Sequence, residues 1–337
     1  MTEAELTRLA VRVLEACGLA PGEAEETAQI LVLGDLMGHG THGVLRLESY
    51  GERLRSGAMD ARARIAVEDL APAVARVDGA NAVGPLVGRR ALREAMTRAR
   101  AHGVGIAFAR NSNHFGAIAP YCLLAADEGF ASMICSNASV TIAPTGAAET
   151  RLGNNPLGFG VPRPGGRPVI LDMAMSVVAR GKIRAALRKG EKIPDSWATD
   201  RQGRATTDPK AALDGFLLPF GGYKGYGLAL VVDLLAGVLS DAAYLTHVNS
   251  WLDDPGKPGN LGHFFMLLDT RVLGSSEWLA DRVGDFAAII HDAPRADPGV
   301  PVRLPGEREL DNLERHRRDG IDMDPSLLSR LSELIPP

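Results

Sequence analysis

Between Val104 and Asn137 the chain reads as a β-rich apolar run, a polar turn, a helix and a second β-rich run. The first run is Val104 to Phe108. The turn is Asn111-Ser112-Asn113-His114-Phe115-Gly116, Ala117 to Asp127 is helical in pattern, and Ala131 to Cys135 leads into Ser136-Asn137. Strand, turn, helix and strand in succession commit this segment to an α/β layer with some parallel pairing. Ligands of such sheets sit beyond the C-terminal ends of strands, where these polar turns lie.

The flanking sequence fits around that layer. Leu6, Leu9, Ala10, Val13 and Leu14 recur at helical spacing until Gly18, and Pro21 starts a second helix that Gly38 ends. A third pattern runs from Val44 to Gly57, so a His-rich loop lies between two helices. Short strands are expected near Ile65–Val67, Val74–Val77, Gly158–Pro162, Val169–Met173 and Phe264–Leu268. Helices are expected at Gly84–His102, Val178–Lys189, Trp278–His291 and Pro325–Leu334, and Tyr223–Leu239, apolar nearly all round, reads as a buried helix. With 37 Lys and Arg against 41 Asp and Glu, no positive field exists to hold a nucleic acid. Three widely spaced cysteines suit a reducing compartment, and Met1 to Glu5 has no signal-peptide character, so the reading is cytoplasmic, with no membrane span.

Four segments can carry chemistry. Gly38-His39-Gly40-Thr41-His42-Gly43 matches the glycine string of a dinucleotide turn, but a helix precedes it where the fingerprint needs a strand. His39 and His42 lack the further ligands of a zinc site, so no metal is expected. Thr41, His42 and Arg46 can instead converge on a small anion, with the guanidinium gripping a carboxylate in two places; a capping Thr and a surface Arg are the plain alternative. His114, mounted at a strand-to-helix turn, has the chemistry of a proton carrier near neutral pH, or of a ring bonded to its own turn. The Gly153–Gly160 loop, which holds Asn154, and Gly221-Gly222-Tyr223-Lys224-Gly225 complete the set. The latter combines donor amides, a helix N-terminus and a Lys, which suits phosphate as well as it suits a plain glycine turn.

In order along the chain, Gly34-Asp35-Leu36, Gly38-His39, Thr41-His42-Gly43-Val44-Leu45-Arg46, Asn111 to Gly116, Gly153 to Leu157, Leu171-Asp172-Met173-Ala174, Arg180-Gly181-Lys182-Ile183, Leu217 to Gly225 and Gly262-His263-Phe264-Phe265 resemble the malate/L-lactate dehydrogenase family. The resemblance implies a non-Rossmann, mixed-sheet α/β fold and an NAD- or NADP-dependent oxidoreductase for a small 2-hydroxy or 2-oxo acid. It also admits reduction of a cyclic 2-imino acid such as piperideine- or pyrroline-2-carboxylate. An N-terminal helical region (1–60), a cofactor- and substrate-binding α/β domain (61–270) and a C-terminal region that packs back on the N-terminal part (271–337) are the expected divisions, in a homodimer.

Carried over by motif, His114 is the general acid/base, a role His42 also fits, while Thr41, Arg46 and Asn154 face the substrate. Asp172, Met173 and Ala174 line the cofactor, Lys224 meets its phosphate or ribose, and the loop of Pro305, Gly306 and Glu307 closes over it. Relatives carry Ser where this chain has Thr41 and an acidic or polar residue where it has Gly40. Their cofactor-contacting Ser falls on Ala138, with Ser136 and Ser139 beside it. An inactive nucleotide-binding protein and a metal hydrolase built on His39 and His42 are the rivals.

Overall fold

The computed structural model describes residues 1–250 and 254–336. Helix α1 (Glu3–Ala16) opens with a capping box, the Thr2 hydroxyl accepting from the Glu5 amide and the Glu5 carboxylate from the Thr2 amide. α2 (Pro21–Leu36) begins on proline, which lacks only an N–H that the first turn would leave unbonded. Two 3₁₀ turns, Gly40–His42 and Val44–Arg46, lead into α3 (Leu47–Ser56), which Gly57 ends at φ 78°.

Then follow β1 (Ala66–Ala71), β2 (Val74–Asp78), α4 (Gly84–His102), β3 (Val104–Ser112), α5 (Ala119–Asp127) and β4 (Phe130–Ser136). A small ribbon of β5 (Val140–Ile142) and β6 (Leu152–Gly153) precedes β7 (Leu157–Val161) and β8 (Val169–Met173). α6 (Arg180–Lys189), α7 (Pro209–Asp214), α8 (Tyr223–Asp233), β9 (Leu261–Asp269), α9 (Ser276–His291), α10 (Glu307–Asp319) and α11 (Pro325–Glu333) complete the chain.

Seven strands form one mixed sheet in the order β1-β2-β3-β9-β4-β7-β8. β2 and β3 pair in parallel, joined by α4 as a crossover, and the other neighbours pair antiparallel. β9 therefore enters late and at the centre, with His263 opposite Ala109 of β3 and Ser136 of β4. This register makes β3, β4 and β8 run the same way, so the turns after all three open at one end of the sheet.

Alternation along β9 gives the molecule two cores. Phe265 and Leu267 join α1, α2, α4 and α5 on one face, and Phe264 joins Cys135, Ile183, Ala229, Val232 and Ala236 on the other. α10 was not foreshadowed by apolar periodicity, because Leu310 and Leu313 are its only buried residues in a run of charge. It packs on the end of α2, where Asn312 Nδ2 donates to the Met37 carbonyl (3.4 Å) and His316 Nδ1 meets the Leu36 carbonyl (2.8 Å).

The expected buried helix at Tyr223–Leu239 needs correction. It is α8 continued by a π-helical turn, Leu234–Val238, and only one side of it is covered within the chain. Gly225, Ala229 and Val232 are buried, whereas Tyr223 is 69% exposed, Leu234 52%, and Leu228 and Val231 also face outward. Apolar residues all round a helix state that both sides seek cover, not that the same chain supplies it. Among the described residues no helix is long and apolar enough to cross a membrane.

The π turn presses directly on β9. A Cβ at Gly262 would stand 1.6 Å from the Ala236 carbonyl oxygen and 2.8 Å from Ala242 Cβ, so no side chain fits. Gly262→Ala is expected to lower folding stability by about 3 kcal/mol or more, because neither backbone can yield without disturbing the sheet. A urea midpoint equal to that of the unsubstituted protein contradicts this packing.

Candidate active site

The first motif is built on a buried carboxyl. Asp35, near the end of α2, accepts from the Val44 amide (2.7 Å) and fixes the paired 3₁₀ turns; burial pushes its pKa up to about 7 despite that bond. A Cβ at Gly43 would fall 2.1 Å from Asp35 Oδ1, which explains glycine between His42 and Val44. The dinucleotide reading of this string fails because helix α2 leads into it and the amides of Gly38, His39 and His42 are spent on the backbone carbonyls of Asp35, Gly34 and His39.

This arrangement brings the two predicted imidazoles together. The rings of His42 and His114 stack with centroids 5.4 Å apart and planes inclined at 27°. Thr41 Oγ1 lies 2.9 Å from His42 Nδ1. Burial, then the charges of Arg46 and His39, lower the His42 pKa from near 6.5 to about 4. His114 is held well below its ordinary value, first by burial and then by Arg46 and His42. Both rings are thus neutral at pH 7 in the ligand-free protein, inside the field of one guanidinium.

Tyr50 fixes the His114 tautomer. Its hydroxyl donates to the His114 carbonyl (2.6 Å) and, with its one proton used, accepts from Nδ1 (2.8 Å). Nε2 is then the basic nitrogen of His114. Burial raises the Tyr50 pKa, so the phenol keeps its proton.

Sequence reading treated Tyr50 as part of an apolar helix face and passed over Arg53. The signal was present, since Arg46, Tyr50 and Arg53 are spaced by four and three and share one helical stripe. Arg53 donates to the carbonyls of Pro255 (3.0 Å) and Lys257 (2.8 Å) and to Asn113 Oδ1 (3.3 Å), tying the segment before β9 to the His114 turn.

His263 was read only as part of the family-like string Gly262-His263-Phe264-Phe265, yet it anchors the same turn from below. It is fully buried, with Nδ1 2.9 Å from Ser136 Oγ and Nε2 2.7 Å from Ser112 Oγ. The Ser136 hydroxyl donates to the Asn137 carbonyl (3.0 Å), so its oxygen accepts from Nδ1–H, and the Ser112 hydroxyl donates to Nε2. Phe115, next to His114, stacks on this ring at 4.1 Å and 11°.

The turns enclose a cavity of ≈ 300 Å³. His39, Thr41, His42 and His114 form one wall, and Ala138, Asn154, Asp172 and Ala174 stand on others. Asp172 is half-buried and accepts from the amides of Ile118 (2.9 Å) and Ala119 (2.8 Å), so it caps α5; desolvation raises its pKa, and His39 nearby opposes that rise. Asn154 is followed by Asn155, which accepts from the Ala138 amide (3.0 Å) and donates to the Ala229 carbonyl (2.9 Å), joining this wall to α8.

Other expected residues lie outside the wall. Neither Met173 nor Arg46 lines the cavity, although the Arg46 charge acts on both imidazoles, and Lys224 is exposed on the first turn of α8. Pro305, Gly306 and Glu307 pack along β8, where the Ile170 amide donates to the Pro305 carbonyl (3.2 Å) and a Cβ at Gly306 would meet Ile170 O at 2.6 Å. Glu307 instead pairs with His291 (2.7 Å). Among the described residues no three His, Cys, Asp or Glu side chains gather as a metal site needs.

His263 makes the site's cost of acidification measurable. Burial holds its pKa at about 3, against about 6.5 for an unfolded His. The unfolded chain therefore binds the extra proton between those values, and the stability that neutral His263 contributes is present above pH 6.5 and lost as pH falls toward 3. Denaturant titrations of His263→Gln should show a weaker loss of stability between pH 6 and 4, by about 1.4 kcal/mol per pH unit. Parallel pH slopes for the two proteins contradict a neutral, buried imidazole.

Comparison with known proteins places this architecture. The family described as malate/L-lactate dehydrogenase matches residues 1–332. The chain is 35% identical to a malate dehydrogenase of Pyrococcus abyssi over 338 residues, covering 98% of this chain and 92% of that one. It is 35% identical to a Delta(1)-pyrroline-2-carboxylate reductase of Ancylobacter novellus, covering 99% and 96%. The structure of sulfolactate dehydrogenase from Methanocaldococcus jannaschii superposes with a TM-score of 0.92 at 33% identity, covering 99% of this chain and 96% of that one. With its mixed sheet and paired-histidine cavity, the chain belongs to the malate/L-lactate dehydrogenase family.

Proposed function

We propose that the cavity binds a small 2-hydroxy or 2-oxo acid beside a nicotinamide cofactor, NAD or NADP, and interconverts the two acids by hydride transfer. The observation that carries this reading is the stack of His42 on His114 within reach of the Arg46 charge. Arg46 offers two parallel N–H donors to the substrate carboxylate. Neutral His114 or His42 takes the hydroxyl proton during oxidation and returns it to the developing alkoxide during reduction. A bound carboxylate raises the basicity of both rings by offsetting the guanidinium, which prepares them for the second task.

The walls suit a planar cofactor ring. Ala117, Ala138, Ala174 and Ala179 offer methyl groups around the cavity, and His39 Nε2 is buried at its edge with no hydrogen-bond partner among the described residues, ready for a polar substituent. When bound, the nicotinamide supplies or accepts the hydride. Asp172, Ala174 and Ala138 are the residues we assign to the ring end. The cavity is small for a whole dinucleotide, so Met173, Lys224 and the Pro305–Glu307 loop, which stand outside it, are assigned to the remoter parts. Thr41 and Asn154 are assigned to the substrate.

A second reading, reduction of a cyclic 2-imino acid, is favoured by the equal identity to a pyrroline-2-carboxylate reductase. Following NAD(P)H absorbance with pyruvate, oxaloacetate and a cyclic imine in parallel separates the two. Under either, His114→Ala is expected to lower turnover by about 10²- to 10⁴-fold with cofactor affinity largely kept. Near-normal turnover assigns the proton to His42 instead.

We also read the protein as a cytoplasmic homodimer. All three cysteines are free and buried, in keeping with a reducing compartment. A second copy would cover the outward stripe of Tyr223, Leu228, Val231 and Leu234. Light scattering should give twice the 35.7 kDa of the chain, and a monomer at micromolar concentration contradicts the dimer.

A further inference from the structure

Among the described residues that line the cavity, Arg53 is the one arginine or lysine. It lies three residues beyond Tyr50 on α3 and is only 2% exposed. Burial lowers its pKa, yet a guanidinium keeps its charge at neutral pH. Its place is fixed from several sides. Nη1 donates to the Pro255 carbonyl (3.0 Å), and Nη2 to the carbonyls of Lys257 (2.8 Å) and Ala58 (3.4 Å) and to Asn113 Oδ1 (3.3 Å). The Gly259 amide, also on the cavity wall, donates to the same Asn113 oxygen (3.3 Å), one residue before His114.

Every one of these partners is neutral. Among the described residues no carboxylate pairs with Arg53, in contrast to Arg167, which grips Asp311 and Glu314, and Arg53 Nε is buried without a hydrogen bond. Carbonyl oxygens solvate a cation but leave its net charge in place. A buried charge in that state is costly, and an anion that arrives beside it offsets the cost. The attraction runs through a medium of low dielectric, where it is stronger than in water, and salt screens it less than it would at the surface. A 2-oxo acid brings such an anion. Its methyl ester or amide has the same carbon skeleton and brings none.

We infer that Arg53 is a specificity-determining residue, whose unneutralised charge in the cavity wall selects the anionic 2-oxo acid over neutral carbonyl compounds of the same skeleton. This rests on the 2-oxo acid reading. Both Nη groups are already engaged by the protein, so Arg53 acts through its field and leaves the bidentate grip to Arg46. Two sources of positive charge then divide the work, one holding the carboxylate and one drawing it into the cavity.

The test measures kcat/KM with NAD(P)H for pyruvate, oxaloacetate, methyl pyruvate and pyruvamide, in the full-length protein and in Arg53→Gln, Arg53→Lys and Arg46→Gln, with circular dichroism to establish that each is folded. The unsubstituted protein should prefer the two acids. Arg53→Gln should lower the acid-to-neutral ratio by about tenfold or more, mostly through KM for the acids. Arg53→Lys, which keeps the charge and loses the fork, should recover most of that ratio. A ratio that folded Arg53→Gln leaves unchanged overturns the assignment, as does an Arg53→Lys ratio as low as that of Arg53→Gln. Where Arg53→Gln fails to fold, Arg46→Gln decides: a residual preference for the acids is expected from Arg53, and loss of all preference overturns its role. Turnover of neither acid by the unsubstituted protein overturns the 2-oxo acid reading and the assignment with it.

Discussion

Everything at the site depends on the insertion of β9 between β3 and β4. Those two strands precede β9 by more than a hundred residues, and neither has its central partner until residues 261–269 arrive. When they do, His263 links the ends of both strands through Ser112 and Ser136, and its ring becomes the floor on which Phe115 lies. The turn that carries His114 is therefore shaped by a strand far away in sequence. Such long-range pairing delays folding until much of the chain is collapsed, and the reacting groups take their places only when the fold is complete.

The second governing fact is that three imidazoles and an arginine are withdrawn from water together. Burial alone disfavours the charged form of each ring, and the Arg46 guanidinium adds to the effect on His42 and His114. The resulting neutral pair is a proton acceptor in the free protein, and an incoming anion changes the balance in favour of proton storage. Under the proposed function, substrate binding and acid/base readiness are one electrostatic event, because a carboxylate held by Arg46 would also permit a neighbouring imidazole to carry charge. Tyr50 contributes direction, because its shared bond selects which nitrogen of His114 is basic.

Much of this was legible residue by residue. Gly18 and Gly57 mark helix ends that the structure places at Ala16 and Ser56, the expected helix from Gly84 to His102 is found with those bounds, and the strand-turn-helix order from Val104 correctly located His114 beyond a strand end. The nearness of the Arg46 charge to His42 was readable from spacing, although Arg46 is not among the residues that line the cavity. What spacing cannot convey is which strand lies beside which, so His263 had no role of its own in the sequence, before the expected strand at Phe264, until β9 was seen at the centre of the sheet. Tyr50 was hidden by its own apolar ring, although its place on the Arg46 stripe pointed inward. α8 misled in the other direction, because hydropathy records the wish for cover and not its source. The Pro305–Glu307 loop followed from family likeness and Lys224 also from its glycine-rich helix start, and they stand outside the cavity itself.

The central claim is spatial: one cavity receives both the acid and the nicotinamide, between the paired imidazoles and the alanine-lined wall. A crystal structure with NADH and oxamate, an unreactive mimic of a 2-oxo acid, tests it most directly. The account predicts the oxamate carboxylate on Arg46, its carbonyl oxygen within hydrogen-bond reach of His114 or His42, and the nicotinamide ring against Ala138 and Ala174. Either ligand bound elsewhere, with this cavity holding only water, contradicts it.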